Sequence, residues 1–274
     1  VKRLRRKAFL VIIVLAGILY YSDSTGAVPV IQARSAVLME KDSGKVLYKK
    51  NDEQRRPPAS TTKILTAILA IECGKLDEVI EISENAAVTG EATIHLKRGD
   101  RLTLYNLLHG ALLRSGNDAC VAIAEAVAPS EEEFVGLMNL KALTLGACST
   151  TFQNPNGLPG KDHLTTAYDL ALIARYAMNN QTFAGIVKKK EYLLRWEGST
   201  RTLHLKNTNR LLWSYPYATG VKTGTTDKAG QCLVASASRM GREVIAVLLH
   251  SPSRFLEAQR LLEYGLNEKG VSYE

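Results

Sequence analysis

The sequence predicts an α+β (mixed α/β) fold: one antiparallel sheet assembled from an N-terminal hairpin and a C-terminal meander, with helices packed on it. Three observations predict it. Strand-like runs occupy residues 35–49 and three segments beyond residue 217, while the stretch between them carries helical spacing. The last two of these runs are joined at "RMGR", a tight turn suited to an antiparallel pair. No repeat or low-complexity tract interrupts the 274 residues, and 46% of them are hydrophobic, which is ample for one large core.

Residues 35–49, "SAVLMEKDSGKVLYK", read as two strands about a turn carrying Asp42, Ser43 and Gly44. A polar loop, "NDEQRRPPAS", follows. Residues 60–72 set Ile64, Leu65, Ile68, Leu69 and Ile71 at helical spacing, with Gly74 just past the end as a stop. Helices are expected over 104–113, 118–128, 131–145 and 166–178. Glu131, Glu132 and Glu133 open the third of these, where acidic side chains complement the helix dipole. "FQNPNGLPGKDH" is a polar loop rich in turn residues. "ATGVKTGTT", "GQCLVASAS" and "GREVIAVLLHS" are the C-terminal strands, and a helix over 253–267 closes the fold.

The N-terminus has its own logic. Lys2, Arg3, Arg5, Arg6 and Lys7 precede the apolar run "AFLVIIVLAGILYY" and the small residues "STGA". This is the pattern of a secretory signal, short for a membrane span, with an uncleaved N-terminal anchor as the alternative. Residues 1–27 are therefore assigned as signal peptide or anchor, and 28–274 as one catalytic domain. The leader holds five basic residues and one acidic residue, so the net charge of +8 falls to +4 without it, too mild to indicate nucleic acid. Any membrane tether is expected through this segment alone. Cys73, Cys120, Cys148 and Cys232 lack metal or CxxC spacing and sit in apolar contexts, which favours buried thiols over disulfides. No cofactor motif or metal-ligand spacing is visible.

Ser60 and Lys63, in "PPASTTKILTA", stand three positions apart at the head of a helix and so share a face. Alone that pair means little. Two further motifs, "SGN" at Ser115–Asn117 and "KTG" at Lys222–Gly224, complete a set seen in penicillin-recognising enzymes. The chemistry accounts for the residue types. A serine hydroxyl needs a base, and Lys63 can serve if burial beside Lys222 depresses its pKa. Ser115 can relay a proton between Lys63 and a leaving group. Asn117 offers an amide to a substrate carbonyl or to Lys63. Lys222 and Thr223 suit a terminal carboxylate, Gly224 admits substrate along the strand, and the N–H groups of Ser60 and Thr225 suit an oxyanion hole.

From residue 34 to 267 the chain resembles the low-molecular-mass penicillin-binding proteins that are D-alanyl-D-alanine carboxypeptidases, peptidase family S11. The likeness rests on "PASTTKILTA", "LLRSGNDACVAIAE", "FQNPNGLPGKDHLTTAYDLALIA" and "GVKTGTTDKAGQCLVASA". It implies the penicillin-recognising transpeptidase/β-lactamase-like fold. It also implies a reaction that removes the terminal D-alanine of peptidoglycan stem peptides through an acyl-enzyme on Ser60, with β-lactams as covalent inhibitors. Its roles fall on Ser60, Lys63, Ser115, Asn117, Lys222, Thr223 and Gly224, while Thr225 stands where some members have histidine.

Rival readings share parts of this pattern. A DD-endopeptidase would use the same site on crosslinks. A class A β-lactamase needs a deacylating Glu, and "TTFQNPNGLPG" holds none. A non-catalytic binding module would not need the full reactive set. His163 is expected to order its loop, Trp196 and Trp213 to pack, and Arg210, close before the KTG motif, to be exposed, with a place facing the cleft as the alternative.

Overall fold

The structure, a computed structural model, describes residues 28–267. The leader assigned to 1–27, and the last residues of the domain drawn to 274, lie outside the described residues.

Strands β1 (Ser35–Glu40) and β2 (Val46–Lys50) form the expected hairpin, turning through Gly44 at φ 75°. Two small pairs that the sequence reading did not anticipate follow: β3 (Val79–Glu81) with β4 (Arg101–Thr103), and β5 (Glu191–Arg195) with β6 (Thr202–Lys206). The meander is β7 (Ala218–Thr226), β8 (Gly230–Arg239) and β9 (Arg242–Leu249). The main sheet runs β2-β1-β9-β8-β7, antiparallel throughout, so the two ends of the described chain meet where β1 pairs with β9.

This sheet is covered on both faces. Along β9, Ile245, Val247 and Leu249 face the main helical core, while Val244, Ala246 and Leu248 face the C-terminal helix Arg254–Asn267. Burial on both sides explains why the strand reads as an unbroken apolar run instead of an alternating one. The helical face is built on Lys63–Glu72, which buries Ile64, Leu65, Ile68 and Ile71. Each such side chain contributes roughly 1.5–3 kcal/mol. Around it lie Asn117–Val127, Glu131–Thr144 and Ala167–Met178. Ser130 and Thr166 start the last two by accepting the backbone N–H of Glu133 (3.1 Å) and Asp169 (3.0 Å). Such N-caps contribute about 1 kcal/mol each.

Several local expectations need correction. Ser60 stands on a 3₁₀ turn, Ala59–Thr62, and the α-helix proper begins at Lys63. The helix expected over 104–113 ends at His109 and continues as a π-helical turn, Gly110–Arg114. All four cysteines are free, but Cys148 is exposed and Cys73 half-buried, so burial describes Cys120 and Cys232 alone. Trp196 packs, whereas Trp213 is 40% exposed. Arg210 is exposed, as expected.

Candidate active site

The residues from Pro58 to Lys63 are held in an unusual backbone. Ala59 has φ 50°, in the left-handed region that costs a residue with a side chain about 1 kcal/mol or more. Two glycines make room for it. A Cβ on Gly157 would lie 2.0 Å from the Ala59 carbonyl oxygen, and one on Gly224 would lie 2.9 Å from the Ser60 nitrogen. Loop and strand thus close on the turn from both sides. Thr62 Oγ1 donates to the Ala59 carbonyl (2.9 Å) and accepts from His163 Nε2 (2.9 Å). His163 Nδ1 accepts the Gln153 N–H (3.0 Å), which fixes the tautomer. Burial holds the His163 pKa down at about 4, with the charge of Lys63 adding to the effect. The imidazole orders the loop as a neutral group.

A 3₁₀ turn places positions i and i+3 almost in register. Lys63 Nζ accordingly donates to Ser60 Oγ at 2.9 Å. Its other two protons go to Asn117 Oδ1 (2.8 Å) and the Asn156 carbonyl (2.5 Å), so every donor of the ammonium is matched. Lys63 is fully buried, and that burial pushes its pKa down to about 8, against the opposing pull of Cys120, Asp118 and Glu91. No carboxylate among the described residues is hydrogen-bonded or ion-paired to it.

The second wall begins where the π turn ends. Ser115 takes φ 69° there, and its Oγ accepts from Lys222 Nζ at 3.0 Å. Asn117 anchors the neighbouring loop, its Nδ2 donating to the Gly90 carbonyl (3.0 Å) and its N–H to that of Ala92 (2.6 Å). Asp118 fixes the same loop by accepting the N–H groups of Ile94 and Leu96.

The third wall is β7. Lys222 is 1% exposed and also donates to the Thr223 carbonyl (2.9 Å). Burial pushes its pKa well below the usual value, and the like charges of Lys63 and Arg254 add to this. Thr223 Oγ1 lies 2.7 Å from Thr208 Oγ1. Thr225 is exposed at the rim, where Arg254 Nη1 donates to its Oγ1 and to the Gly224 carbonyl, both at 2.8 Å.

The structure therefore brings Ser60, Lys63, Ser115, Asn117, Lys222, Thr223, Gly224 and Thr225 to one junction. Four details differ from the sequence reading or sharpen it. Ser115 is bonded to Lys222, not to Lys63. The Asn117 amide need not choose between its two expected tasks: Oδ1 accepts from Lys63 and one Nδ2 proton goes to the Gly90 carbonyl, which leaves the second Nδ2 proton for a substrate carbonyl. The missing Cβ of Gly224 serves the contact with the Ser60 turn. Burial, more than a neighbouring cation, depresses Lys63. Asn156, Thr208 and Arg254 went unnoticed: one contributes only a carbonyl, and the others lie outside the motifs. A hollow of about 330 Å³ beside Tyr105, Gln181 and Lys189 shares no residue with this group. Among the described residues no set of three or more His, Cys, Asp or Glu is placed to hold a metal.

A half-buried serine bonded to a buried lysine and faced by a lysine-bearing edge strand, in this mixed fold, defines the penicillin-recognising class of active-site-serine proteins. The family model of D-alanyl-D-alanine carboxypeptidases matches residues 22–253. The chain belongs to that family. It is 40% identical over 245 residues to the D-alanyl-D-alanine carboxypeptidase DacF of Bacillus subtilis, covering 86% of this chain and 63% of that protein. It is also 37% identical over 287 residues to the D-alanyl-D-alanine carboxypeptidase of Streptomyces sp. strain K15, covering 96% of this chain and 99% of the other. The crystal structure of the Streptomyces K15 DD-transpeptidase superposes with a TM-score of 0.85 at 36% identity, covering 88% of this chain and all of that one. The chain thus spans under two thirds of the length of the Bacillus relative and nearly all of the Streptomyces one.

Proposed function

We propose that this chain is a serine D-alanyl-D-alanine carboxypeptidase that removes the terminal D-alanine from peptidoglycan stem peptides. The observation that carries this reading is the 2.9 Å bond between Ser60 Oγ and a fully buried Lys63 to which no carboxylate among the described residues is bonded. In its neutral form Lys63 takes the Ser60 proton as the hydroxyl attacks the penultimate D-alanine carbonyl. The N–H groups of Ser60 and Thr225 receive the developing oxyanion. The C–N bond breaks, free D-alanine leaves with a proton, and the acyl group stays on Ser60 until water displaces it.

The substrate's own carboxylate helps to set the protonation states. Seated against Lys222, Thr223 and Arg254, it favours the charged form of Lys222. That charge, in a dry site shared with Lys63, then favours loss of the Lys63 proton. Ser115, bonded to Lys222, carries a proton toward the leaving amine along this second wall. A β-lactam, which presents the same carboxylate, would acylate Ser60 and remain there.

Residues 28–274 act in this reading as the catalytic domain, and residues 1–27 as an export signal or anchor that places it outside the cytoplasm. No helix of the described residues is long and apolar enough to cross a membrane. The kinship to a protein described as a DD-transpeptidase supports a second outcome, in which an amine takes the acyl group in place of water. Mass spectrometry of stem peptides treated with the chain, with and without an added amine, tests these readings. Release of D-alanine supports the carboxypeptidase, amide formation the transfer, and loss of crosslinks an endopeptidase. A penicilloyl adduct that decays as fast as peptide turnover would make it a β-lactamase instead.

A further inference from the structure

We propose that Thr208 is a positioning residue that turns Thr223 into a dedicated hydrogen-bond donor, and so makes the site selective for a ligand carboxylate. The inference rests on the reading above, in which a carboxylate lies against Lys222 and Thr223.

The two threonine hydroxyls are 2.7 Å apart and share one hydrogen bond, which can run in either direction. If Thr223 donates to Thr208, its proton is consumed. If Thr208 donates to Thr223, the Thr223 proton is free for the cleft. A carboxylate only accepts, so its arrival selects the second arrangement. The chain then runs from Thr208 to Thr223 to ligand, each bond polarising the next. The same bond fixes which of the Thr223 hydroxyl and methyl faces the ligand, since rotation about χ1 exchanges them.

Thr208 is itself held firmly. Its N–H donates to the Leu113 carbonyl (3.1 Å), on the π turn that ends at Ser115. Its neighbours are anchored to backbone: Asn207 Nδ2 donates to the carbonyls of Val187 (3.2 Å) and Lys189 (2.9 Å), and Asn209 Nδ2 to that of Gly220 (2.7 Å). The segment 207–209 therefore bridges the turn bearing Ser115 and the strand bearing Lys222. With Thr208 donating, Lys222 and Thr223 present donors alone to the ligand. An ester or carboxamide in place of the carboxylate loses charge and acceptor strength against such a surface.

The test measures acylation of the 274-residue chain by benzylpenicillin and by its methyl ester. Thr208→Val should slow the free acid about fivefold, as expected for one neutral hydrogen bond, and the ester less than twofold. Thr208→Ser should restore the difference between the two ligands. In a Thr223→Val background, Thr208→Val should add nothing. Equal slowing of acid and ester, or a loss that persists in the Thr223→Val background, overturns the proposal. If Thr208→Val does not fold, Thr208→Ala carries the same comparison. A wild-type chain that neither ligand acylates overturns the functional reading beneath it, a result distinct from any of these.

Discussion

Lys63 sets a pH dependence that can be worked through in numbers. Buried with a pKa of about 8, it is charged in most molecules at neutral pH. Only the neutral amine accepts the Ser60 proton. The neutral fraction is about 9% at pH 7 and about 91% at pH 9, from the ordinary titration curve. Acylation by a β-lactam should therefore rise about tenfold over those two units, and fall about tenfold per unit below pH 7. The sign is that of a base: activity is lost as pH drops through the Lys63 pKa. The assay is the second-order rate of covalent labelling, followed by intact mass across pH 5.5–9.5 at constant ionic strength. Lys63→Arg supplies the control, because a guanidinium stays charged throughout and should lower the rate by roughly 10²–10⁴ at every pH. A flat profile in the wild type, or an arginine variant that keeps the acid limb, would refute the assignment of Lys63 as base.

Other expectations can be checked alongside it. Ser60→Ala should abolish penicillin labelling and D-alanine release together, and covalent labelling retained in that variant would exclude Ser60 as nucleophile. Gly224→Ala places a methyl 2.9 Å from the Ser60 nitrogen; it should cost about 1–3 kcal/mol in denaturant unfolding and slow acylation more than it weakens stability. His163 and His109 are both held near pKa 4 by burial. The unfolded chain binds their protons first, so stability should fall as pH drops from about 6.5 to 4, by roughly 3 kcal/mol for each histidine. Urea unfolding at pH 7 and pH 4.5 measures that loss, and His163→Gln should reduce it.

The main sheet and the motif-bearing segments were legible because their signals are local. An apolar run buried on two faces, an N-capping Thr166 or Ser130, and three short motifs all stand in a few neighbouring residues. What escaped the reading depends on partners far along the chain. β5 and β6 are five residues each and fully bury a single leucine apiece, Leu194 and Leu205, so their apolar signal is too short to stand out. The 3₁₀ turn at Ser60 exists because Gly157 and Gly224 approach it, which nothing in "PPAST" announces. Arg254 reaches Thr225 from the start of the last helix, and Thr208 meets Thr223 across a gap in sequence filled by a helix and a strand start. The bonds of Lys63 to Ser60 and Asn117 follow from the motifs, whereas those of Lys222 to Ser115 and of Lys63 to the Asn156 carbonyl do not. Which hydroxyl each ammonium selects is decided by backbone geometry at Ser115 and Asn156.

The pairing of β1 with β9 has a consequence for how the molecule is made. Ser35 and Leu249 are register partners, yet about 200 residues of chain separate them. A ribosome delivers the hairpin about 200 residues before its neighbour. Until Arg242–Leu249 emerges, one edge of β1 has no partner, and open edges of this kind invite pairing with other chains. Loop closure over such a distance also makes for slow folding. Ser60, Ser115 and Lys222 arrive in the same staggered order, so a product cut before Lys222 lacks part of the site. Reactivity should switch on only when the final strand docks, which makes penicillin labelling a direct reporter of completed folding.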